Sequence, residues 1–256
     1  MFDGKVAVIT GSSYGIGKHA AIMFAKQRCR IVLCGRDAFR LTSVLQECLD
    51  VSGGHSERFL VVKGDITDAA VRKRMIQRAV DVFGRLDILV NSAGTSPNDP
   101  KQNKFTEDEF DLFMDVNLKA VYYSILEAAP HLEKTGGCIV NMSSSLSVIK
   151  SPEDIVEGMT KAGVDYLTRS FGLSLFAKGI RVNAVLPTLA FNNTSGFDWW
   201  DKFAQEYGPL HPLYGRISTL EEQANVVLFL ASPEASCISG ECLLVDGGIS
   251  LKGPTY

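Results

Sequence analysis

The chain has 256 residues, 46% of them hydrophobic and 21% charged, with a formal net charge of −3. That is the composition of an ordinary soluble globule with a large core, and it excludes a nucleic-acid or anionic-membrane surface, which would need clustered Lys and Arg. No apolar run approaches the roughly 20 residues that span a bilayer. Met1-Phe2-Asp3-Gly4-Lys5 leads straight into a strand-like VAVIT rather than a secretory leader. Cysteines at 29, 34, 48, 138, 237 and 242 form no CxxC pair. They read as free thiols in a reducing compartment, expected to be the cytoplasm, and no metal site is expected.

In chain order, apolar strand-like runs alternate with helical patterns. A strand over Lys5–Thr10 precedes a helix over Ile16–Gln27, and a strand over Arg30–Cys34 precedes a helix over Ala38–Val51. Phe59–Lys63 is followed by a helix at Asp68–Phe83, and Ile88–Asn91 by a long helix at Glu107–Leu132. Cys138–Met142 precedes a helix at Glu153–Ala177, and Arg181–Val185 precedes one at Leu220–Ala231, before a last strand at Glu241–Val245. The strand interiors are rich in Val, Ile and Leu with little polar alternation, as expected of strands buried on both faces. The alternation implies βαβ units with right-handed crossovers. The expected fold is therefore α/β: one domain over residues 1–256, a doubly wound, seven-stranded parallel sheet with helices on both faces. Residues 188–216 interrupt the alternation with Trp199-Trp200 and Gly208-Pro209-Leu210-His211-Pro212. Such an insertion reads as a substrate lid, with a helical surface excursion as the alternative. Its aromatics, Phe191, Phe197, Trp199, Trp200, Phe203 and Tyr207, suit an apolar ligand or plain packing equally well.

The first strand-to-helix turn reads Thr10-Gly11-Ser12-Ser13-Tyr14-Gly15-Ile16-Gly17. Glycines at this point let the backbone approach a pyrophosphate, and the helix start then aims free N–H groups at it. With a strand before and a helix after, the turn predicts a Rossmann-type dinucleotide site. The second strand ends at Cys34-Gly35-Arg36, with Gly35 where an NAD-binding acid would stand. A guanidinium suits a 2′-phosphate, so Arg36 favours NADP(H); the alternative is that Arg36 only stacks on the adenine.

These residues, with GDITD at 64–68, LVNSAG at 89–94, VNLKAV at 116–121, IVNMSSS at 139–145, TKAGVD at 160–165, IRVNAVLP at 180–187 and VDGG at 245–248, resemble the short-chain dehydrogenase/reductase family. The resemblance runs from Lys5 to about Gly248. It implies adenine recognition by Asp65 and Ile66. It places the cleft walls at Ser13, Tyr14, Asn91, Ala93 and Gly94, and the nicotinamide at Pro187, Thr188 and Lys161. It also implies a homotetramer or homodimer that pairs the two long helices with those of a second copy, and a small-molecule substrate.

Family members that reduce carbonyls typically use an Asn, a Ser, a Tyr and a Lys, because hydride transfer leaves an alkoxide that must be protonated in place. Asn117, Ser144 and Lys161 match three of these places. The fourth, four residues before Lys161, is Glu157. The interval from Ser144 to Lys161 is the family's usual one, so no gap has displaced a tyrosine. Tyr166 lies about half a turn out of phase on the same helix at roughly 100° per residue. Glu157 and Lys161 are i,i+4 and are expected to pair, which would lower the Glu157 pKa. The family's Asn-Pro-Gly also becomes Leu186-Pro187-Thr188, which narrows the nicotinamide side. Three functions follow: an NADP(H)-dependent oxidoreductase on a carbonyl or alcohol, altered or impaired by Glu157; an inactive NADP(H)-binding protein; or a non-redox lyase or isomerase using Glu157 as base.

Overall fold

Seven strands pair in parallel in the order β3-β2-β1-β4-β5-β6-β7. They are β1 (Val6–Thr10), β2 (Arg30–Gly35), β3 (Phe59–Lys63), β4 (Ile88–Asn91), β5 (Cys138–Met142), β6 (Arg181–Pro187) and β7 (Cys242–Val245). The helices are α1 (Gly15–Lys26), α2 (Ala38–Ser52), α3 (Ala69–Phe83), α4 (Glu107–Met114), α5 (Ala120–Leu132), α6 (Ile155–Ser174) and α7 (Leu220–Ala231). This computed structural model describes residues 1–96, 105–188, 190–191, 208–210 and 215–251. Most of the expected lid at 188–216 therefore lies outside the described residues. What is described of it includes a two-residue pairing of Ala190–Phe191 with Ser218–Thr219.

The five inner strands bury both faces because their side chains alternate into two cores, while the edge strands β3 and β7 are partly open. Ala7 and Ile9 of β1 pack with Phe24 of α1, Leu41 of α2 and Val227 of α7. Val6 and Val8 pack on the other side with Met75 of α3, Ile125 of α5 and Val164 of α6. Each fully buried Ile or Leu contributes about 1.5–3 kcal/mol of transfer free energy, so the two cores dominate stability. Helix starts are set locally. Asp37 accepts from Arg40 N at 3.0 Å, Asp68 accepts from Ala70 N at 2.8 Å, and Thr106–Glu109 and Thr219–Glu222 form capping boxes.

Two expectations are corrected. The single helix at Glu107–Leu132 is interrupted by a π-helical turn at Asp115–Lys119, which contains Asn117. The second long helix, expected at Glu153–Ala177, starts at Ile155 and ends at Ser174, before a short 3₁₀ turn at Phe176–Lys178. Central strand β1 lies between β2 and β4, so the chain winds away in opposite directions from β1. That reversal opens a crevice at the carboxyl ends of the strands, where doubly wound sheets take their ligands.

Candidate active site

The crevice is about 410 Å³ and extends from Arg36, Arg40 and Asp65, past Gly11 and Ala93, to Met142, Lys161 and Pro187. Its floor is built by close backbone approach. Thr10 Oγ1 accepts from both Ser92 N and Ala93 N at 3.0 Å. Gly11 has φ +64°, and a Cβ there would sit 2.6 Å from Ser92 O and 2.7 Å from Ala93 Cα. Only glycine tolerates that combination. Ser12 joins the loop to β2, its Oγ accepting from Cys34 N at 2.9 Å. Gly15 and Ile16, the first residues of α1, line the crevice, so the positive end of the helix opens on it. The volume, the glycine floor and the helix start fit a dinucleotide.

At the end formed by β2 and β3, Arg36 Nη1 stands 3.7 Å from Asp65 Oδ2, with both side chains substantially exposed. Asp65 Oδ1 accepts from Thr67 N at 2.9 Å and Thr67 Oγ1 at 2.8 Å. Burial pushes the Asp65 carboxyl up, but the Thr67 bonds and Arg36 outweigh it and hold it below the usual carboxylate value. Arg72 pins the same loop by donating to Ile66 O at 2.7 Å and Thr67 O at 2.8 Å. Arg40, four residues after Arg36 on the first turn of α2, lies over the Tyr14 ring at 5.3 Å. Burial raises the Tyr14 phenol, with Arg40 opposing.

At the other end, Asn117 is buried and its amide grips the loop after β4. Its Oδ1 accepts from Thr95 N at 2.8 Å and its Nδ2 donates to Thr95 O at 2.9 Å. The π turn supplies the extra backbone that carries Asn117 to this loop, a use often found at functional sites. Ser144 lies two residues beyond β5 and caps a 3₁₀ turn, its Oγ accepting from Leu146 N at 3.2 Å. Lys161 is buried, and its Nζ donates to Met142 O at 3.1 Å. Burial lowers the Lys161 pKa, while Glu157 and Asp165 oppose. Glu157 is half-buried and its Oε1 accepts from Ser96 Oγ at 3.3 Å. Burial raises its pKa, Lys161 opposing and Asp154 assisting. The expected Glu157–Lys161 pairing is therefore corrected: Lys161 turns to a main-chain carbonyl, and the Glu157 pKa moves up rather than down.

Among the expected binding residues, Gly11, Ser13, Tyr14, Gly15, Ile16, Arg36, Asp65, Ile66, Ala93, Gly94, Lys161 and Pro187 line the crevice. Three others are not among its lining residues. A Cβ on Gly17 would meet Gly11 O at 2.6 Å. Asn91 is buried and donates to Asn141 Oδ1 at 2.9 Å. Thr188 N donates to Val245 O at 3.3 Å. Each of the three sits where helix, neighbouring strand or sheet edge claims it first. Asn117, Ser144 and Glu157 flank the crevice, with Ser96 bridging Glu157 to its lining. Arg40 and Ser96 were not expected. The spacing of Arg40 from Arg36 around a helix start was a readable signal; Ser96 carried none.

The chain matches the family described as "Enoyl-(Acyl carrier protein) reductase" over residues 11–250. It belongs to the short-chain dehydrogenase/reductase family. A similar member is the 3-oxoacyl-[acyl-carrier-protein] reductase of Thermotoga maritima, 32% identical over 248 residues, covering 96% of this chain and 98% of that one. Another is the 7alpha-hydroxysteroid dehydrogenase of Clostridium sardiniense, 32% identical, covering 99% and 96%. Among solved short-chain dehydrogenase/reductases, one of unknown function from Caenorhabditis elegans, determined with cofactor, superposes with a TM-score of 0.91. It is 32% identical and covers 99% of this chain and 98% of that one. These relatives support an oxidoreductase of carbonyl or alcohol groups that uses a nicotinamide cofactor. No helix among the described residues is long and apolar enough to cross a membrane.

Proposed function

We propose that the protein is an NADP(H)-dependent oxidoreductase that acts at a carbonyl or alcohol carbon, with Glu157 at the place the family resemblance gives to a tyrosine. The observation that carries this is the crevice itself, with exposed guanidinium groups at the strand β2 end and a buried ammonium at the β5 end. Arg36, with Arg40 beside it, supplies positive charge for a 2′-phosphate. Asp65 and Ile66 face the adenine, and Gly11 and the start of α1 face the pyrophosphate. Bound there, the dinucleotide supplies the hydride. Lys161 holds the ribose and keeps positive charge near the reacting end. Among the described residues no acceptor takes the Ser144 hydroxyl proton, which leaves it to donate to a substrate oxygen. The upward shift of Glu157 supports a carboxyl that can carry a proton.

The test is NADPH oxidation against a carbonyl panel, with NADPH binding measured in parallel. Turnover of a carbonyl is expected; bound NADPH with no turnover anywhere would overturn the reading. The place of Glu157 favours a second reading, a dinucleotide-binding protein without catalysis. Glu157→Tyr separates the two, since a large gain from a silent parent supports the second and a loss from an active parent supports the first. The outer faces of α5 and α6 expose Tyr122, Tyr123, Leu126 and Leu173. They support a homodimer or homotetramer as the assembled form. The unpaired thiols support a reducing compartment such as the cytoplasm.

A further inference from the structure

Asp65 and Ile66 line the crevice from the loop between β3 and α3. Thr67 holds Asp65 Oδ1 through its N–H at 2.9 Å and its Oγ1 at 2.8 Å. That leaves Oδ2, 3.7 Å from Arg36 Nη1, to accept from a ligand. The loop itself is pinned from behind. Arg72, on the first turn of α3, folds back so that its Nη1 donates to Ile66 O at 2.7 Å and to Thr67 O at 2.8 Å. Its guanidinium lies over the Tyr123 ring of α5 at 5.4 Å. Arg72 is only 7% exposed, and its Nε is buried with no acceptor. Among the described residues no carboxylate pairs with it. The neighbouring Lys119 adds like charge and keeps Asp115 for itself at 2.8 Å.

For stability alone this is a poor place for a cation. Arg72 shares the inward face of α3 with Val71, Met75, Ile76 and Ala79, where an aliphatic side chain would pack without losing hydration. It also stands at a helix N-terminus, whose dipole disfavours positive charge. Ile66 is half-buried and Thr67 exposed, so water can take up the bonds to their carbonyls. What water does not supply is a fixed spacing of the two carbonyls, and with it a fixed direction for the Asp65 carboxylate. We propose that Arg72 is a positioning residue for the base of the dinucleotide: it holds Asp65 where Oδ2 accepts from the exocyclic amine of adenine. The inference rests on the dinucleotide reading above and deepens it. Base selectivity, rather than the 2′-phosphate preference, is the property that Arg72 controls. Hypoxanthine presents an oxo group where adenine has its amine, so acceptor faces acceptor. A fixed carboxylate rejects that arrangement more strongly than a mobile one.

Calorimetric titration of the full chain with NADPH, with NADH and with the hypoxanthine analogue of NADPH tests this. Wild type is expected to bind NADPH about tenfold tighter than the hypoxanthine analogue. Arg72→Met fills the same space without a donor and should cut that preference to about threefold or less. Arg72→Gln is the second variant, which decides should the first not fold. Its amide ends near the place of Nε and falls short of both carbonyls, so the preference should again drop to about threefold. The ratio of NADPH to NADH affinity should hold within about twofold in either variant, because Arg36 is untouched and its exposed pairing with Asp65 is weak. A general loosening of the crevice would not leave that ratio intact. A tenfold base preference that survives in a folded variant would overturn the inference and leave the dinucleotide reading standing. So would loss of the base and phosphate preferences together. Equal binding of the two bases by wild type would overturn the inference along with the placement of adenine at Asp65. Binding of neither NADPH nor NADH would overturn the oxidoreductase reading as well.

Discussion

Replacing Arg36 with Ala should separate the two nicotinamide dinucleotides. The guanidinium is 67% exposed, and among the described residues its ion-pair partner is Asp65 at 3.7 Å. An exposed pairing of that length stabilises the free protein by at most about 1 kcal/mol, so little is lost when Arg36 turns to a ligand phosphate. At about 4 Å, unit charges interact by about 1 kcal/mol in water and about 4 kcal/mol near a protein surface. An exposed Arg facing a phosphate belongs toward the lower figure. The expected loss for NADPH is thus about 1–2 kcal/mol, or roughly 5- to 30-fold in Kd. NADH carries a hydroxyl in place of the phosphate and should change by no more than about twofold, since a neutral hydroxyl gains little from the guanidinium. Calorimetric titration of both dinucleotides into wild type and Arg36→Ala gives the four constants. Repeating it at higher salt adds a check, because the wild-type advantage of NADPH should shrink with ionic strength while NADH binding holds. Equal weakening of both dinucleotides, or an unchanged NADPH constant, would refute the assignment of Arg36 to the phosphate.

Gly11→Ala should destabilise the fold by about 2–4 kcal/mol, the sum of a positive φ and overpacking against Ser92 and Ala93, and should abolish dinucleotide binding; denaturant melts and calorimetry read the two effects. Asp87 is buried and accepts from Arg85 at 2.6 and 2.8 Å, Val6 N at 3.0 Å and Lys5 at 3.1 Å. Burial pushes its carboxyl up, but these donors outweigh it and hold it below the usual value, so its stabilisation is present above the ordinary carboxylate pKa and fades as pH falls through the folded one. Asp87→Asn should therefore cost about 1–3 kcal/mol near neutral pH, with the gap to wild type closing in acid; a gap that is independent of pH would count against this account. For Glu157 the sign is opposite: its raised pKa means that stability is full below the ordinary carboxylate value and is lost as pH rises through the folded pKa. Glu157→Gln should melt above wild type near neutral pH and level with it in acid, and a lower melting point at neutral pH would contradict the burial argument.

The sheet was legible because apolar runs without polar alternation recur between helical stretches, and that alternation points to βαβ units on a doubly covered parallel sheet. The glycine loop was legible because a positive-φ turn between strand and helix leaves a compositional trace. Less could be read where a residue's use depends on which way it leaves the backbone. Gly17 and Asn91 lie in motifs that reach the crevice, yet each is taken up by packing or a side-chain bond one layer behind it. The π turn at Asp115–Lys119 left no mark, since one wider turn does not disturb the apolar periodicity of α4 and α5. Arg40 could be read only through its spacing from Arg36 at the helix start; its place in the crevice lining and its stacking on Tyr14 show that it leans over the crevice.

Glu157 and Lys161 show why local spacing misled at the site. On an isolated helix an i,i+4 Glu–Lys pair meets across one turn and both charges gain. Here α6 packs against the end of β5, and Lys161 is drawn through that contact to Met142 O, while Glu157 reaches across the crevice rim to Ser96. The two charges are then buried near each other without closing a pair, and burial disfavours the ionised form of both. A closed pair would have been electrostatically self-sufficient and indifferent to what lay beside it. An open one leaves the Glu157 carboxyl on a hydroxyl and the Lys161 amine on a main-chain carbonyl, neutral partners that do not offset the burial of charge. The separation of Glu157 from Lys161 is thus what shifts both groups toward their uncharged forms at the reacting end of the crevice.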